Sequence, residues 1–426
     1  MPPLPSPSVL RTLFLLEPGL VFLNHGSFGA CPAPVFEAYQ QWQRELERNP
    51  VAFLGRRSAG LLRGARERLA AFLGASADDL VFVPNATTGV NIVARSLRLS
   101  PGDEVLSTDH EYGACDATLR MVCERAGAVL RRVTLPLPFE PGEFVPRLMA
   151  AATPRTRLIF ASHVTSTTAL VFPVAELCAR AREAGIATLI DGAHAPGQLE
   201  LDLAALGADY YTGNAHKWLC APKGAAFLHV QPGRQAALDG GVVSWGWLAE
   251  ELAAGGGGHT GFDAYVGTTL LERRLQWQGT RDIAAFLAVP AALDFLAAHR
   301  WPAHCALAQA RGRALHARVC ARNGLEPIGP DAALAPQMLP LPVRTADGEG
   351  RRRWVSESRG IVGPGSPPAG RLGVRVPVQA DTTDEERAAL AAARAAAGAK
   401  QPRSAPAAAG GHQAGHAQRH QQRAGG

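Results

Sequence analysis

The feature that most constrains the fold is an alternation of short apolar runs with helical patterns between about residues 80 and 230. The apolar runs are Leu80–Val83, Glu104–Ser107, Val129–Thr134, Leu158–Ser162, Ala187–Ile190, Asp209–Tyr211 and Ala225–Val230. The helical patterns between them include Gly89–Leu99, Gly113–Ala126 and Val174–Ala184. This alternation is typical of β-α-β units around a buried, mostly parallel sheet. It predicts an α/β fold whose ligand-binding residues directly follow the strands.

The pattern changes on either side of this block. Further helices are predicted at Ala33–Arg48, Ser58–Leu73, Ile283–His299 and Ala303–Arg322. The end of the chain is rich in Gln, Gly, Ala, Pro and His, a composition typical of disorder. We therefore expect an N-terminal arm (1–30), a large domain (31–280), a smaller domain (281–400) and a disordered tail (401–426).

Composition argues against several classes of protein. Of the net charge of +6, four positive charges lie within residues 400–426, whereas nucleic-acid binding needs a clustered basic face. No apolar window approaches the roughly 18 residues of a membrane span, and no signal peptide is visible. The seven cysteines form no C-x-x-C pair, which predicts reduced thiols and no metal site. We expect a soluble, cytoplasmic protein without a membrane or nucleic-acid partner.

Lysine is scarce in this chain. Only three of the 43 basic residues are lysines, namely Lys217, Lys223 and Lys400. High-GC codon usage explains the scarcity without any functional reason. A chain that uses arginine almost everywhere should nevertheless retain lysine where an amine is required, because guanidinium does not form an imine at neutral pH. The scarcity directs attention to Lys217 and Lys223.

A carboxylate and a lysine follow two neighbouring runs of the predicted sheet. Asp191 ends one apolar strand, and Lys217 lies just past the next. Pyridoxal phosphate needs such a pair, because an amine binds it as a Schiff base and a buried carboxylate keeps its pyridine nitrogen protonated. Taken singly, Asp191 is a loop or cap residue and Lys217 a surface lysine. Their joint placement favours the cofactor site.

A phosphate anchor is predicted at the start of a helix. The segment 85–89 follows the strand Leu80–Val83 and opens a helical pattern, so its backbone N–H groups and the hydroxyls of Thr87 and Thr88 would face an anion. A simple helix N-cap is the alternative.

Seven sequence runs occur in order along the chain: NHGSFG (24–29), NATTGVN (85–91), TDHEYGAC (108–115), SHVTSTTALVFPV (162–174), DGAHAPGQ (191–198), YYTGNAHKWL (210–219) and QGTRD (278–282). Together they resemble the class V aminotransferase-fold pyridoxal phosphate enzymes, specifically the isopenicillin N epimerase-like branch. The resemblance covers roughly residues 20–340. It implies fold type I of these enzymes, with a mostly parallel seven-stranded sheet in a large domain and a smaller α+β C-terminal domain.

The resemblance also implies roles for individual residues. Lys217 would hold the cofactor and move the α-proton, and Asp191 would pair with the pyridine nitrogen. His194 and Thr165 would lie near the ring hydroxyl, although His194 and His163 are equally readable as structural histidines. The implied phosphate ligands are Thr87, Thr88, Asn214 and His216. Thr280 would reach the phosphate of a neighbouring subunit, which implies a homodimer.

Stacking on the cofactor ring and substrate binding are less sharply defined. Within TDHEY, the resemblance favours His110 for stacking and leaves Tyr112 as a proton donor. Asn24 and Arg57 are candidates for substrate binding, with a solvated helix start as the alternative for Arg57. The family pattern places an arginine for the substrate carboxylate before a late strand, and Arg375 matches it best. Here the sequence departs from the pattern, because Pro377 replaces a small residue and 351–370 lacks the expected helix and strand.

Three functions remain open from the sequence. The resemblance implies an enzyme acting at the α-carbon of an amino acid, as an epimerase. A C–S lyase acting on a cysteine conjugate such as hercynylcysteine sulfoxide would need the same lysine. A non-catalytic binding protein of the same fold is the alternative from another class. Cysteine desulfurase activity is disfavoured because no cysteine follows Ala321 to serve as the nucleophile.

Overall fold

The computed structural model describes residues 4–252, 254, 262–343, 361–362, 372–377, 381–383 and 385. In chain order the strands are β1 (Val21–Phe22), β2 (Leu80–Val83), β3 (Glu104–Thr108), β4 (Val129–Val133), β5 (Thr156–Ser162), β6 (Ala187–Asp191), β7 (Tyr210–Asn214), β8 (Ala226–Val230), β9 (Met338–Val343), β10 (Ile361–Val362) and β11 (Leu372–Pro377).

The helices surround these strands. In chain order they are α1 (Pro7–Arg11), α2 (His25–Phe28), α3 (Ala33–Arg48), α4 (Pro50–Ala52), α5 (Ser58–Leu73), α6 (Ala86–Ser96), α7 (Gly113–Ala126), α8 (Pro141–Ala151), α9 (Val174–Glu183), α10 (Leu203–Leu206), α11 (Pro232–Gln235), α12 (Trp245–Leu252), α13 (Asp263–Val266), α14 (Leu270–Leu275), α15 (Ala284–Leu287), α16 (Val289–Ala298) and α17 (Trp301–Asn323). Within the described part of the chain, none of them is both long enough and apolar enough to span a membrane.

A seven-stranded sheet forms the centre of the fold. Its strand order is β2-β8-β7-β6-β5-β3-β4, and β8 alone runs antiparallel to its neighbours. The predicted α/β fold with a mostly parallel seven-stranded sheet is confirmed. Parallel strands place their carboxyl ends at one edge, so the segments after β2, β3, β5, β6 and β7 meet there.

Alternate residues of the buried strands of the central sheet fill two separate cores. On β5, Leu158 and Phe160 face one cluster, which α6, α7 and α14 cover. Ile159 and Ala161 face the other, which includes residues of α5, α8 and α9. Side chains on a strand point alternately to the two faces of the sheet, and a strand buried on both faces therefore reads as a continuous apolar run.

Most predicted helices lie where the sequence places them, and α3, α5 and α7 match to the residue. The prediction for Ile283–His299 differs, because two helices, α15 and α16, replace one. Pro290 is the second residue of α16. Proline has no N–H to continue a preceding helix but fits the first turn of a new one, which explains the break.

The C-terminal part of the described chain adds two small sheets. β9 pairs antiparallel with β11, and β1 pairs parallel with β10. α15 and α16 pack against α3 and α5. The predicted domain boundaries remain predictions, and the predicted tail, 401–426, lies outside the described residues.

The segment NHGSFG packs tightly against the loop after β7. Gly29 ends α2 with φ +73° and ψ 158°, a conformation almost restricted to glycine. A β-carbon there would lie 1.9 Å from the His216 carbonyl oxygen. The N-terminal segment therefore supports the backbone that carries Lys217.

We expect Gly29→Ala to destabilise the protein far more than Gly19→Ala. Gly19 has a similar φ of +78°, but its β-carbon would meet no atom within 4 Å. Gly19→Ala should cost roughly 1 kcal/mol for the positive φ, and Gly29→Ala about 3 kcal/mol or more, because the clash adds to the strain. Thermal unfolding of both variants measures the difference. Equal losses would contradict the close packing inferred at Gly29.

Candidate active site

Three strands align the candidate residues at the carboxyl edge of the sheet. In the strand register, Ser162 of β5 lies opposite Asp191 of β6, and Asp191 lies opposite Thr212 of β7. Lys217 follows β7 in the loop that leads to β8. Asp191 and Lys217 interact electrostatically across this edge. The structure therefore brings together the two residues predicted to define the site.

Asp191 is a buried carboxyl group, 4% exposed. Its Oδ1 accepts a hydrogen bond from the Ala193 backbone N–H at 2.9 Å, and its Oδ2 accepts one from the Cys115 thiol at 3.5 Å. Burial raises the pKa of Asp191, while the Ala193 N–H and the charge of Lys217 oppose the rise. A cationic N–H group placed beside this carboxylate would be strongly stabilised.

Lys217 contacts a histidine whose ring is held by a tryptophan. Lys217 Nζ lies 3.1 Å from His194 Nε2, and Trp218 Nε1 donates to His194 Nδ1 at 3.4 Å. Indole N–H can only donate, so Nδ1 accepts from Trp218. The His194 ring is thereby fixed beside the Lys217 amine, the group that the predicted chemistry needs as a nucleophile or base.

The start of α6 is held by two asparagines. Asn85 Oδ1 accepts from the Thr88 backbone N–H at 2.8 Å and from the Thr88 hydroxyl at 3.1 Å. Asn214 Oδ1 accepts from the Ala86 N–H at 2.9 Å. Asn214 thus anchors this helix to β7, and the half-buried Thr87 and Thr88 lie in its first turn. The N-cap of α6 is thus Asn85 rather than a threonine, and the phosphate anchor at Thr87 and Thr88 stays a prediction.

His216 is a neutral imidazole whose outward nitrogen carries no proton. Its Nδ1 lies 3.2 Å from the Ala225 carbonyl oxygen, which can only accept, so Nδ1 donates. Burial, assisted by the charges of Lys217 and Lys223, lowers the pKa of His216 to about 4. An anion at Nε2 would raise that pKa, because it stabilises the imidazolium form.

His110 and Thr165 belong to one buried polar chain. His110 Nδ1 lies 3.0 Å from the Thr168 hydroxyl, and its Nε2 lies 3.2 Å from the Leu135 carbonyl oxygen. The Thr168 hydroxyl also lies 2.8 Å from the Thr165 hydroxyl. The His110 ring is therefore fixed at both nitrogens. Tyr112, by contrast, is 46% exposed at the start of α7.

Glu111 is a residue that the sequence analysis missed. Its carboxyl group lies between two strand ends, because Oε1 is 2.7 Å from the Thr108 hydroxyl and Oε2 accepts from the Ser162 N–H at 2.9 Å and from the Ser162 hydroxyl at 2.5 Å. Burial, together with the charge of Asp191, raises the pKa of Glu111 to about 8, although the Ser162 and Thr108 hydrogen bonds oppose this. The signal available in sequence was an acidic residue three positions after the end of β3.

The remaining predicted site residues are Asn24, Arg57, Thr280 and Arg375, and each lies outside β6 and the loop after β7 that carry Asp191 and Lys217. Asn24 is buried, and its Oδ1 accepts from the Ser27 hydroxyl at 2.6 Å. Arg57 ends a π-helical turn and forms an exposed ion pair with Glu45 at 2.8 Å. Thr280 is exposed in the loop after α14. Arg375 lies within β11, opposite Pro340, rather than before a strand.

Within the residues that the structure describes, no three His, Cys, Asp or Glu side chains are arranged to hold a metal ion. The arrangement instead offers a buried carboxylate, an amine, two neutral imidazoles and a helix start at one sheet edge.

Comparisons with known proteins identify a family, sequence relatives and solved structures that are similar to this chain. A family model described as aminotransferase class-V matches residues 22–366. Isopenicillin N epimerase of Streptomyces clavuligerus is 45% identical over 288 residues, 67% of this chain and 71% of that protein. Putative L-cysteine desulfhydrase 1 of Oryza sativa subsp. japonica is 34% identical over 298 residues, 66% of this chain and 58% of that protein. The solved structure of the cystine C–S lyase C-DES with cysteine persulfide has a TM-score of 0.72 at 23% identity, covering 88% of this chain and 97% of that one.

We expect the pH dependence of stability to reveal Glu111. A folded-state pKa of about 8 lies above the ordinary glutamate value of 4.5, so the folded protein binds the extra proton between these values. Its contribution to the free energy of unfolding is therefore complete below about pH 4.5 and is lost as pH rises through about 8. Glu111→Gln lacks this titration. Chemical unfolding of both proteins without cofactor should show wild type losing stability relative to the variant across this window, and parallel curves would contradict the raised pKa.

Proposed function

The chain belongs to the aminotransferase class-V family, and from that premise we propose that it is an epimerase that inverts the α-carbon of an amino acid group, as in isopenicillin N. The chain is a pyridoxal phosphate-dependent enzyme of this family. The observation that carries the proposal is the meeting of Asp191 and Lys217 at one sheet edge, in a chain 45% identical to an isopenicillin N epimerase.

The residues at this edge fit the cofactor. Asp191 is a buried carboxylate that accepts hydrogen bonds from the Ala193 N–H and the Cys115 thiol, and a pyridinium nitrogen would place a cationic N–H beside it. Lys217 would hold the cofactor covalently, with His194 and Thr165 toward its ring hydroxyl. Thr87, Thr88 and His216 would hold the phosphate at the start of α6, with Asn214 fixing that helix. When bound, pyridoxal phosphate withdraws electrons from the α-carbon of an amino acid and makes its hydrogen acidic.

The lysine can act as the base for that hydrogen. Lys217 Nζ lies 3.1 Å from His194 Nε2 in a partly buried position, and Trp218 Nε1 donates to His194 Nδ1 at 3.4 Å. A neutral amine accepts a proton, whereas an ammonium group does not, so Lys217 would act as the base once it is uncharged. Trp218 and His194 would then act as positioning residues for Lys217.

A C–S lyase acting on a cysteine conjugate is the second candidate function. It is supported by the similarity to a putative L-cysteine desulfhydrase at 34% identity. Epimerisation needs a proton returned to the opposite side of the α-carbon, whereas lyase chemistry needs a proton for the leaving sulfur. The shared lysine and carboxylate serve both reactions, so the proton donor distinguishes them.

We further propose that the enzyme is a cytoplasmic homodimer. All seven cysteines are free thiols, which suits a reducing compartment. Thr280 is exposed in the loop after α14 and would reach the phosphate of the neighbouring subunit. Arg57 and Arg375 remain candidates for the substrate carboxylate, and Asn24 remains a candidate for substrate binding. Sedimentation equilibrium of the cofactor-loaded protein measures the subunit number.

We expect Lys217→Ala to abolish the visible absorption of the bound cofactor, because no amine would remain at that position for covalent attachment. Lys223→Ala is the matched control, since Lys223 lies in the same loop but is exposed. Absorption spectra after cofactor addition and dialysis provide the measurement. A colourless wild-type protein, or a Lys217→Ala variant that keeps the band through dialysis, would overturn the cofactor assignment.

We expect the loaded enzyme to invert isopenicillin N and to release little pyruvate or sulfide from cysteine conjugates. Chiral chromatography of the product in heavy water, with mass analysis of α-deuterium, follows inversion, and pyruvate and sulfide assays follow lyase activity. Lys217→Ala should lower either activity by several orders of magnitude, because it removes the base. Sulfur release without inversion would favour the lyase.

A further inference from the structure

We propose that Cys115 is a positioning residue whose thiol keeps the Asp191 carboxylate ionised and turned toward the ring nitrogen of pyridoxal phosphate. This inference rests on the proposed function, because that proposal pairs Asp191 with the ring nitrogen. It assigns a role to one of the seven cysteines, which the sequence presents only as reduced thiols.

Two hydrogen bonds from different elements hold the Asp191 carboxyl group. The Ala193 backbone N–H, just after β6, donates to Oδ1 at 2.9 Å, and the Cys115 thiol on α7 donates to Oδ2 at 3.5 Å. The terminal torsion of an aspartate side chain is otherwise broadly distributed. A donor on each oxygen therefore fixes the plane of the carboxylate. Each oxygen keeps a second lone pair, which can accept an N–H group of a ligand.

Burial makes the thiol contact hard to replace. Cys115 is 1% exposed and Asp191 is 4% exposed, so bulk water does not reach the space between them. A buried acceptor that loses its donor bears the full cost of its desolvation. In the free protein, the Asp191 carboxylate thus depends on protein donors.

The Cys115 contact also favours the charged form of Asp191. Burial raises the pKa of Asp191, whereas the Ala193 N–H, the charge of Lys217 and the Cys115 hydrogen bond all lower it. Cys115 is the third residue of the 14-residue helix α7. A helix N-terminus carries partial positive charge, which stabilises an anion beside its first turn. An ionised Asp191 is the form that a protonated ring nitrogen requires.

The same surroundings keep the proton on the sulfur. Burial raises the pKa of the Cys115 thiol well above its usual range, and the charges of Asp191 and Glu111 add to the rise while Lys217 opposes it. Cys115 therefore remains a hydrogen-bond donor. A thiol is a weak donor, so it orients the carboxylate while most of the negative charge remains for the ring nitrogen.

The test measures the protonation of the ring nitrogen directly. Wild type, Cys115→Ala and Cys115→Ser are loaded with pyridoxal phosphate that carries nitrogen-15 in the ring, and the nitrogen NMR shift is followed across a pH titration. We expect Cys115→Ala to lower the proton affinity of the ring nitrogen by roughly fivefold to tenfold, the effect of one weak hydrogen bond. Cys115→Ser keeps a donor and should stay within about threefold of wild type.

Cys123→Ala is the matched control. Cys123 lies on the same helix and is 2% exposed, but its thiol responds to the charges of Arg132 and Glu124. Its removal should leave the ring nitrogen as in wild type. Equal shifts in Cys123→Ala and Cys115→Ala would show a general effect of removing a buried thiol and would overturn the role of Cys115. A Cys115→Ser protein that behaves like Cys115→Ala would also overturn it.

A second measurement needs no cofactor and covers the case that Cys115→Ala folds poorly. The infrared spectrum of wild type minus that of Cys115→Ser isolates the S–H stretching band of Cys115. We expect this band at a lower frequency than that of a free thiol. It should move up in an Asp191→Asn background, because an amide oxygen is a weaker acceptor than a carboxylate. A band at the free-thiol position in wild type contradicts the hydrogen bond.

The Asp191→Asn variant separates this inference from the proposed function. If the ring nitrogen in wild type is unprotonated, or is unchanged by Asp191→Asn, the proposed cofactor site itself is wrong. If the ring nitrogen responds to Asp191→Asn but titrates identically in wild type and Cys115→Ala, only the role of Cys115 is overturned.

Discussion

The rest of this site depends on the burial of one carboxylate. Removing a charge from water is costly, and Asp191 recovers part of that cost through the Ala193 N–H, the Cys115 thiol and the charge of Lys217. Its position is fixed by hydrogen-bonded register, with Ser162 on one side and Thr212 on the other. Lys217 follows β7, the strand next to β6, and acts on Asp191 across this edge. The hydrogen-bonded register of the central sheet therefore fixes the relative positions of Ser162, Asp191 and Thr212.

The fold and the central pair could be predicted from sequence because the signals are local. Strand runs, helix periodicity and the scarcity of lysine are readable without knowing the fold, and they identified Asp191 and Lys217. Glu111 could not be found this way. It stands between two residues with more familiar chemistry, and the direction of its side chain depends on the turn after β3, which no periodicity encodes. The apolar pattern runs continuously through the break before α16. Only the local effect of Pro290 on the helix backbone reveals that break.

Burial keeps several imidazoles of the site uncharged. The pKa values of His163 and His216 are both lowered to about 4, chiefly by desolvation. His163 Nδ1 lies 2.9 Å from the Tyr211 hydroxyl, and the backbone N–H of His163 donates to the Asp191 backbone carbonyl oxygen at 2.8 Å. These neutral groups orient the strand end without adding positive charge near Asp191. Net charge in the site is then set mainly by Asp191, Glu111, Lys217 and whatever ligand enters.

The reversal of β8 has a consequence for how this scaffold can diversify. β7 and β8 are paired directly, and the Asn214–Ala226 pair closes the loop that carries Lys217. The other connections at this edge lead into helices before returning to the sheet, so they tolerate insertions and deletions more readily. A length change between 214 and 226 would instead displace the amine itself. New specificities in such a chain are therefore expected to arise through the segments after β3 and β5, while the hairpin with the lysine keeps a constant length.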